Sequence, residues 1–512
     1  ILLSPVITYL TMRIGHTKFR GILLTAAART TSSFVFPPLA THGNSPKSFH
    51  RILTASFKRV RPLGTMSSQS PLLDDVDHDS NKSAGVETAT PMTKGSELPV
   101  SNQIKETLPP CVGLMKSLIS KHAPKWESKG GINSLAQGVV HWSPPPSVTD
   151  EISSALLSSS PDDIHTYGPE AGLPALVSLL TKKIAKENGL YDADVMVTAG
   201  ANQAYVNCVL TLLSTGGDKG VVFAPYYFNH VMALQMSRGD ASVVAGPTVG
   251  DTGVPDVEWL EGVLARDERV KMVTLVNPGN PTGVSLSRGV IREIVDVTKR
   301  AGVWLVVDNT YEHFDHVGAN SGGGDDDDDV DFYCASDPHV INIFSFSKGY
   351  SLAGYRVGYL TIAKSQRGMF EEMLKVQDTI PICVSRLSQI AAIGALKAGR
   401  EWVTSQVQSL SSSRNAINLA LSPLSTRMGG SGAMYVMAEL PAGMNDEEAA
   451  EMLVEKFGVA VIPGSFCGFP GWLRISYSNL PPAECILAAA RLAEGIEYLV
   501  HNGKGLVDGN EK

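Results

Sequence analysis

The chain of 512 residues is 43% hydrophobic and 18% charged, which indicates a globular protein with a large core and about two to three domains. Its formal net charge of −8 gives no basis for a nucleic-acid partner, and its apolar runs near the N terminus are too short to span a bilayer, so no membrane partner is expected. Six scattered cysteines without a CxxC pair argue against a disulfide framework or a zinc site and indicate a reducing compartment.

The first 73 residues differ in composition from the rest of the chain. They contain nine Lys or Arg and no Asp or Glu, whereas the remainder carries a net charge of −17, from 51 acids and 34 bases. This basic, hydroxyl-rich composition is typical of a targeting presequence, so residues 1–73 are predicted to be disordered and to direct the protein to a plastid or mitochondrion. A disordered basic tail with another role is the alternative, and translation from Met66 would leave the protein in the cytoplasm.

Composition and pattern predict the further organisation. Residues 74–105 are rich in Ser, Asp, Thr and Pro and are interpreted as a flexible linker. The acidic run at 321–331, which includes Asp325–Asp329, is interpreted as a solvated loop and not a metal site, because consecutive Asp beside Gly are not held in a fixed arrangement. Three segments are predicted to fold: an N-terminal segment that contributes to a small domain (106–155), a large domain (156–394) and a smaller C-terminal domain (395–505).

Short apolar runs alternate with helical patterns between about residue 160 and residue 390. This alternation predicts an α/β domain with a largely parallel sheet, in which ligands bind beyond the carboxyl ends of the strands. The predicted helices include Gln203–Leu213 and Ser287–Ala301. The predicted strands are Val195–Thr198, Val221–Ala224, Met272–Val276, Trp304–Asp308, Val340–Ser345 and Val357–Leu360.

Polar or aromatic side chains follow several of these strands. Ala201 and Asn202 open a helix after a small-residue turn, where backbone N–H groups suit a phosphate. Tyr227 follows the next strand and could stack on a flat ring. Asn280 lies in the loop NPGNPTG, whose Pro and Gly content demands a fixed geometry. The first two signals taken alone also fit an ordinary turn or core residue, whereas a plain turn would need neither the two Asn-Pro pairs of this loop nor its placement after a strand.

The stretches DNTY and FSFSKGYSLAGYR place charges at two further strand ends. Asp308 ends an apolar strand, which is costly unless it meets a cation, although helix capping is the ordinary alternative. Tyr311 can present its hydroxyl to the same place. Lys348 follows a strand, and Arg356 lies eight residues later. A lone lysine there would usually be a surface residue, but this one accompanies polar signals at the other strand ends.

One ligand, pyridoxal 5′-phosphate, accounts for these residues together. Lys348 would form a Schiff base with its aldehyde, and Asp308 would keep its ring nitrogen protonated. The phenolic oxygen would accept hydrogen bonds from Asn280 and Tyr311, while Tyr227 would cover the ring. The helix-opening turn would hold the phosphate together with two serines and an arginine, whose planar fork binds oxyanions bidentately (Ser345, Ser347 and Arg356).

NPGNPTG, DNTY and SFSKGYSLAGYR resemble, in order and spacing, the motifs of the class I and II aminotransferases, the fold-type I pyridoxal phosphate enzymes. The resemblance covers roughly residues 110 to 500 and implies an α/β fold, with a mostly parallel sheet sandwiched by helices in the large domain and a smaller α+β domain. It implies that Tyr167 reaches the phosphate of the neighbouring subunit in a homodimer with shared active sites. It also implies that Arg474 holds the substrate α-carboxylate and that Gly138 lines the substrate pocket. One departure is Asn309, where the family usually has a carboxylate.

The expected reaction is transfer of an amino group to a 2-oxo acid by ping-pong kinetics, with Lys348 carrying the proton from the substrate Cα. Tyr227 stands where aspartate-type members carry Trp. The aromatic residues and the absence of a dedicated second arginine favour aromatic or methionine-like amino acids. A carbon–sulfur β-lyase or an aminocyclopropane carboxylate synthase-like enzyme would use the same groups. A non-catalytic ligand-sensing module is disfavoured, because the N-terminal region shows no helix-turn-helix pattern. The side chains expected to line the substrate pocket are Trp142, Tyr226, Tyr227 and Tyr435.

Overall fold

The computed structural model describes residues 98–158, 162–320 and 330–507. The predicted presequence, most of the predicted linker and the Asp325–Asp329 run lie outside these ranges, so the interpretations given for them stay predictions. The described residues belong to one compact unit. No helix in these ranges has the length and apolar character that a bilayer span requires.

Strands and helices alternate through the described chain. The strands are β1 (Asn133–Ser134), β2 (Ala193–Thr198), β3 (Lys219–Phe223), β4 (Val243–Gly246), β5 (Val270–Val276), β6 (Trp304–Asp308), β7 (Val340–Ser345), β8 (Gly358–Ala363), β9 (Arg427–Gly429), β10 (Tyr435–Glu439), β11 (Val459–Ala460), β12 (Ile462–Pro463) and β13 (Trp472–Ser476). The helices are α1 (Asn102–Glu106), α2 (Cys111–Trp126), α3 (Pro146–Leu156), α4 (Asp162–His165), α5 (Pro174–Asn188), α6 (Ala201–Leu212), α7 (Phe228–Arg238), α8 (Val257–Arg266), α9 (Arg288–Ala301), α10 (Arg367–Thr379), α11 (Arg386–Gln408), α12 (Ser411–Ala420), α13 (Asp446–Met452) and α14 (Pro482–Val507).

Seven strands form the central sheet in the order β2-β8-β7-β6-β5-β3-β4. The prediction of a mostly parallel sheet is confirmed, since β8 alone in this sheet runs against its neighbours. The reversal at β8 has a local cause: twelve residues separate β7 from β8, and they form no crossover helix of the kind that parallel strands need. The chain therefore turns back at the carboxyl end of β7, and β8 starts at the edge of the sheet where β7 stops.

Helices cover both faces of this sheet, and consecutive strand residues point to opposite sides. Val221 packs in a core with Leu260 of α8 and Ile294 of α9, whereas Val222 packs in a core with Leu234 of α7. Strands buried on both faces read as continuous apolar runs, which is why their positions were predictable from hydrophobicity. Helix α9 begins after its N-cap Ser287, whose Oγ accepts a hydrogen bond from the Val290 N–H.

A second sheet of four antiparallel strands, in the order β12-β13-β10-β9, lies in the C-terminal part of the chain. Strand β1 pairs with β11, in register Asn133 with Val459, so the segment before the central sheet contacts the C-terminal part. The predicted domain boundaries themselves stay a prediction. Helix α11 bends at Gly399, whose φ of 78° lies in the left-handed region.

Candidate active site

A cavity of about 800 Å³ opens at the carboxyl ends of the central strands. Most of the predicted site residues line it, and this is the location that an α/β sheet favours for a ligand. Helix α2 and strand β13 supply further walls, so the cavity draws on both the central sheet and the C-terminal part. The predicted residues on its lining are Gly138, Ala201, Asn202, Tyr227, Asn280, Asp308, Tyr311, Ser345, Ser347, Lys348, Arg356 and Arg474.

Asp308 is a buried carboxylate at the end of β6. His230 Nε2 lies 3.2 Å from its Oδ2, and the Thr310 N–H and hydroxyl donate to its Oδ1 at 3.0 and 2.6 Å. Burial by itself raises the pKa of Asp308, but these partners outweigh it and hold the pKa below the ordinary value. The carboxylate is therefore ionised at neutral pH and faces the cavity as a fixed negative charge.

Lys348 follows β7, and its Nζ donates to the backbone oxygen of Gly138. Burial, with the nearby cations Arg356 and Arg474, lowers the pKa of Lys348 to about 8, although Asp308 acts in the opposite direction. A substantial fraction of this amine is therefore neutral at physiological pH. Neutral amines are the nucleophilic and proton-accepting form, so the environment suits the predicted covalent role.

An anion cradle forms where the N terminus of α6 meets Arg356. Gly200 caps this helix with a φ of 85°, and a Cβ built on it would lie 2.6 Å from Arg356 Nη2. Arg356 donates to the backbone oxygens of Ala353 and Ala199 at 3.0 and 3.4 Å. The Ser347 N–H donates to the Ser345 hydroxyl at 3.1 Å. The glycine thus leaves room for a guanidinium beside the positive end of a helix dipole, an arrangement that binds phosphate.

Arg474 is buried on β13 and faces the same cavity. Its Nη1 donates to Asn280 Oδ1 at 3.1 Å and its Nη2 to the Ala136 oxygen at 2.7 Å, while its buried Nε has no hydrogen-bond partner. The guanidinium also lies 4.6 Å from the centre of the Tyr435 ring. A buried Arg with an unused N–H in a cavity is ready to bind a carboxylate of an incoming molecule.

Three aromatic hydroxyls complete the polar lining. The Tyr311 and Tyr435 hydroxyls lie 2.7 Å apart, and burial raises the pKa of Tyr311 well above its ordinary value, so it keeps its proton as a donor. Tyr227 donates to Asn202 at 3.5 Å and accepts from Asn229 at 2.9 Å. Burial raises the pKa of Tyr227 to about 12.

Three residues predicted for the site do not line the cavity, namely Trp142, Tyr167 and Tyr226. Trp142 is buried beside it, where its indole N–H donates to the Gly349 oxygen at 3.2 Å and its ring stacks on Phe314. Tyr167 has 77% of its surface exposed. Of the predicted aromatic pocket, Tyr227 and Tyr435 line the cavity, whereas Tyr226 lines a smaller cavity that shares Tyr227 with it.

The sequence interpretation missed His230 and the wall supplied by α2. His230 lies one helical turn after Tyr227, and its ring stacks on Tyr205 with centroids 4.0 Å apart. The sequence feature that could have identified His230 is its position three residues after Tyr227, the residue predicted to stack on the ring. Val112, Met115 and Ile119 on α2 also line the cavity. Their spacing of three and four residues marks one helix face, but nothing in the sequence says which cavity that face meets.

The residues present fit pyridoxal 5′-phosphate. Lys348, Arg356 and Arg474 face the cavity with one carboxylate, that of Asp308, so the lining carries an excess of positive charge. That excess suits a phosphate dianion together with a substrate carboxylate. The buried, unpartnered Nε of Arg474 and the glycine-formed cradle at Gly200 are both explained by such ligands.

Comparisons with known proteins agree with this geometry. A sequence model of the family described as aminotransferase class I and II matches residues 131–492. The aromatic aminotransferase ISS1 of Arabidopsis thaliana is 41% identical over 415 residues, which cover 80% of this chain and 97% of that protein. A probable aspartate/prephenate aminotransferase of Thermus aquaticus is 28% identical over 318 residues, covering 61% of this chain and 79% of that protein. A solved single mutant of Thermus thermophilus aspartate aminotransferase matches with a TM-score of 0.66 at 25% identity, covering 78% of this chain and 100% of that one.

Proposed function

Since the chain belongs to the class I and II aminotransferases, whose members are pyridoxal 5′-phosphate-dependent transaminases, we propose that its amino donor is an aromatic or methionine-like L-amino acid. The observation that carries this proposal is the apolar wall of the cavity, formed by Met115 and Ile119 of α2 with Phe228 and Ile462. An apolar wall gains free energy from an apolar side chain and leaves a distal carboxylate without a partner. A 2-oxo acid, the second substrate of the reaction, accepts the amino group.

The charged groups divide the cavity between cofactor and substrate. Pyridoxal 5′-phosphate, when bound, supplies an aldehyde and an electron-withdrawing ring that acidifies the substrate Cα–H. Arg356, Ser345 and Ser347 would hold its phosphate. Asp308, itself oriented by His230, would hold a proton at the ring nitrogen.

The remaining residues act on the substrate. Arg474 would bind its α-carboxylate through the N–H groups not used by Asn280 and Ala136. The Lys348 amine, with its lowered pKa, would accept the Cα proton and deliver it to the cofactor carbon that carried the aldehyde oxygen. The Tyr311 hydroxyl would donate to the phenolic oxygen.

Steady-state kinetics with purified enzyme and added cofactor test the donor class. We expect a higher kcat/KM for phenylalanine and methionine than for aspartate, with pyruvate or 2-oxoglutarate as acceptor. Lys116, an exposed residue of α2, is the one cation on the described lining besides Lys348, Arg356 and Arg474. Aspartate is the donor to compare, because Lys116 could pair with its side-chain carboxylate. A preference for aspartate would contradict the proposed donor class. Release of pyruvate and ammonia from a cysteine conjugate without any acceptor would indicate a β-lyase instead.

Two variants of α2 sharpen this test. Met115→Arg places a cation on the apolar wall and should shift preference towards aspartate. Leu114→Arg adds the same charge one residue away, on a side chain that is 43% exposed and does not line the cavity, so its preference should match that of the unmodified enzyme. Equal shifts in both variants would show that net charge, and not the wall, sets the preference.

We also propose a homodimer with shared sites, which the exposure of Tyr167 supports. Its backbone oxygen accepts from Arg386 Nη1 at 3.1 Å, and the exposed apolar residues Ile380, Ile382 and Leu387 flank that arginine in sequence. An exposed aromatic among apolar residues suits an interface.

Subunit mixing tests the shared site. A Lys348→Ala chain and a Tyr167→Ala chain should each be inactive or nearly so alone. If Tyr167 completes the partner's site, hybrid dimers contain one intact site and regain activity. No recovery in verified hybrids would place Tyr167 in the site of its own chain or in neither.

Import into a plastid or mitochondrion is proposed from the acid-free N-terminal composition. A fluorescent fusion of the whole chain should enter an organelle, and the same fusion begun at Met66 should stay in the cytoplasm. Cytoplasmic fluorescence from both fusions would contradict the import proposal.

A further inference from the structure

A buried cluster of ionisable groups lies outside the cavity, beneath the residues that carry the proposed chemistry. Glu312 follows Tyr311 directly and is 4% exposed. Lys183 of α5 donates to its two carboxylate oxygens at 2.9 and 2.8 Å, and Asn188 donates to Oε2 at 3.0 Å. Burial raises the pKa of Glu312, but Lys183 outweighs burial and brings it to about 2, so the carboxylate is ionised.

The cluster continues to helix α11. Arg400 Nη1 lies 3.2 Å from His313 Nδ1 and 3.6 Å from Glu187 Oε2, and Glu187 in turn lies 3.4 Å from the Lys183 amine. Arg400 reaches this position because the bend at Gly399 redirects α11 just before it. Burial lowers the pKa of His313 to about 3, so its ring is neutral.

This cluster touches the chain on both sides of Lys348. Gly349 packs so closely on His313 that an added Cβ would lie 2.9 Å from the ring carbon Cδ2. The His313 ring also meets the Tyr350 ring edge-on, with centroids 5.8 Å apart. On the other side, the Lys183 amine lies 5.4 Å from the centre of the Phe344 ring on β7.

Buried ion pairs of this kind contribute little stability relative to apolar side chains of the same volume. They do fix relative positions, because each charge requires its partner at hydrogen-bond distance. We propose that Lys183, Glu312 and His313, with Arg400 behind them, are positioning residues that hold Lys348 and Tyr311 in place for proton transfer. The proposal rests on the proposed function for its kinetic consequence, but not for the geometry that it describes.

The double variant Lys183→Met/Glu312→Leu tests positioning apart from stability, because it removes both charges while keeping similar volume. We expect the variant to fold with a modestly lower unfolding temperature, because Glu187 loses Lys183 but keeps Arg400 and Asn188 loses its acceptor, and we expect kcat to fall about 10- to 100-fold, as a displacement of about 1 Å can cause. The matched control is Lys219→Met/Asp267→Leu, which removes an ion pair of 2.8 Å away from the cavity lining and should leave kcat unchanged.

A second readout does not depend on turnover. The rate at which full-length apoenzyme combines covalently with added pyridoxal 5′-phosphate reports the neutral amine of Lys348, so it should rise through about pH 8. Arg356 and Arg474 lower that midpoint and Asp308 raises it. In the double variant we expect a midpoint about half a pH unit or more higher, because a displaced amine gains water. A merely structural cluster would leave this midpoint in place.

A folded double variant with unmodified kcat and midpoint would overturn the proposal. If the double variant does not fold, Glu312→Gln takes its place, since it keeps the shape and removes the charge, and the same two measurements decide. Failure of the proposed donor class would look different: the unmodified enzyme would then prefer aspartate, while kcat with that donor and the midpoint of cofactor combination would still differ between the variants.

Discussion

Replacement of Arg474 by leucine removes the group assigned to the substrate α-carboxylate, and its effect can be worked out from the contacts. An arginine has five N–H donors. Nη1 and Nη2 use one each on Asn280 and Ala136, and Nε uses none, so three remain for a carboxylate. Loss of one partner from a buried charge pair costs about 2–5 kcal/mol, which is about 30-fold to a few thousand-fold in kcat/KM at ~1.4 kcal/mol per factor of ten.

The assay compares two amines that differ in the carboxylate alone. The second-order single-turnover rate constant with phenylalanine should fall in Arg474→Leu by the factor given above, whereas that with phenethylamine should change less than about threefold, because that amine has no carboxylate for the arginine to bind. The variant also leaves two buried oxygens without donors, at about 1–3 kcal/mol each, so its unfolding temperature should fall. Arg491→Leu is the control, since Arg491 likewise donates to two backbone oxygens, at 2.8 and 2.7 Å, away from the cavity lining. Equal losses with both amines would refute the assignment.

Three further outcomes are expected. Gly138→Ala puts a Cβ 2.2 Å from the Tyr435 hydroxyl, so kcat/KM should fall about tenfold or more and recover in part when Tyr435→Phe is added; a full-activity Gly138→Ala enzyme would contradict this contact. His230→Phe keeps the stacked ring but removes the partner of Asp308, so kcat should fall about tenfold with little change in KM, and a KM effect alone would point to a different role. Because the folded pKa of Glu312, about 2, lies below its ordinary 4.5, the stability it contributes is complete above pH 4.5 and is lost as the pH falls towards 2; acid titrations of Glu312→Gln should show a shallower loss over that window, and an unchanged acid limb would contradict this.

The strand ends could be predicted from the sequence because apolar runs and their polar terminators are local features. Two of the six predicted strands, β6 and β7, have the predicted bounds, and Asp308 and Lys348 follow from them. Because ligands in such sheets bind beyond the carboxyl ends of the strands, residues at those ends can be assigned to one site before any distance is known. Arg474 and Gly138 needed the family resemblance, because each lies far along the chain from the central sheet.

Other contacts could not be predicted because they depend on packing between distant segments. His230 meets Asp308 across 78 positions of sequence, and α2 meets the cavity through its contacts with the C-terminal part. For Trp142 the prediction was wrong in the opposite direction. This residue lies close to Gly138 in sequence and was expected to line the pocket, but its ring stacks on Phe314 and does not face the cavity. Side-chain direction at such positions is set by neighbours that a single sequence does not reveal.

The reversal from β7 to β8 puts Lys348 and Arg356 in one short connection between two paired strands. We therefore expect the two cations to move together, and their separation to stay constant, in any change of shape of the molecule. Arg474 belongs to the other sheet and is joined to this side through Asn280, so it is the cation whose distance from Lys348 would register a change of shape first. The contacts of Lys348 and Arg356 with the cofactor would then stay the same, while the contact of Arg474 with the substrate carboxylate would change.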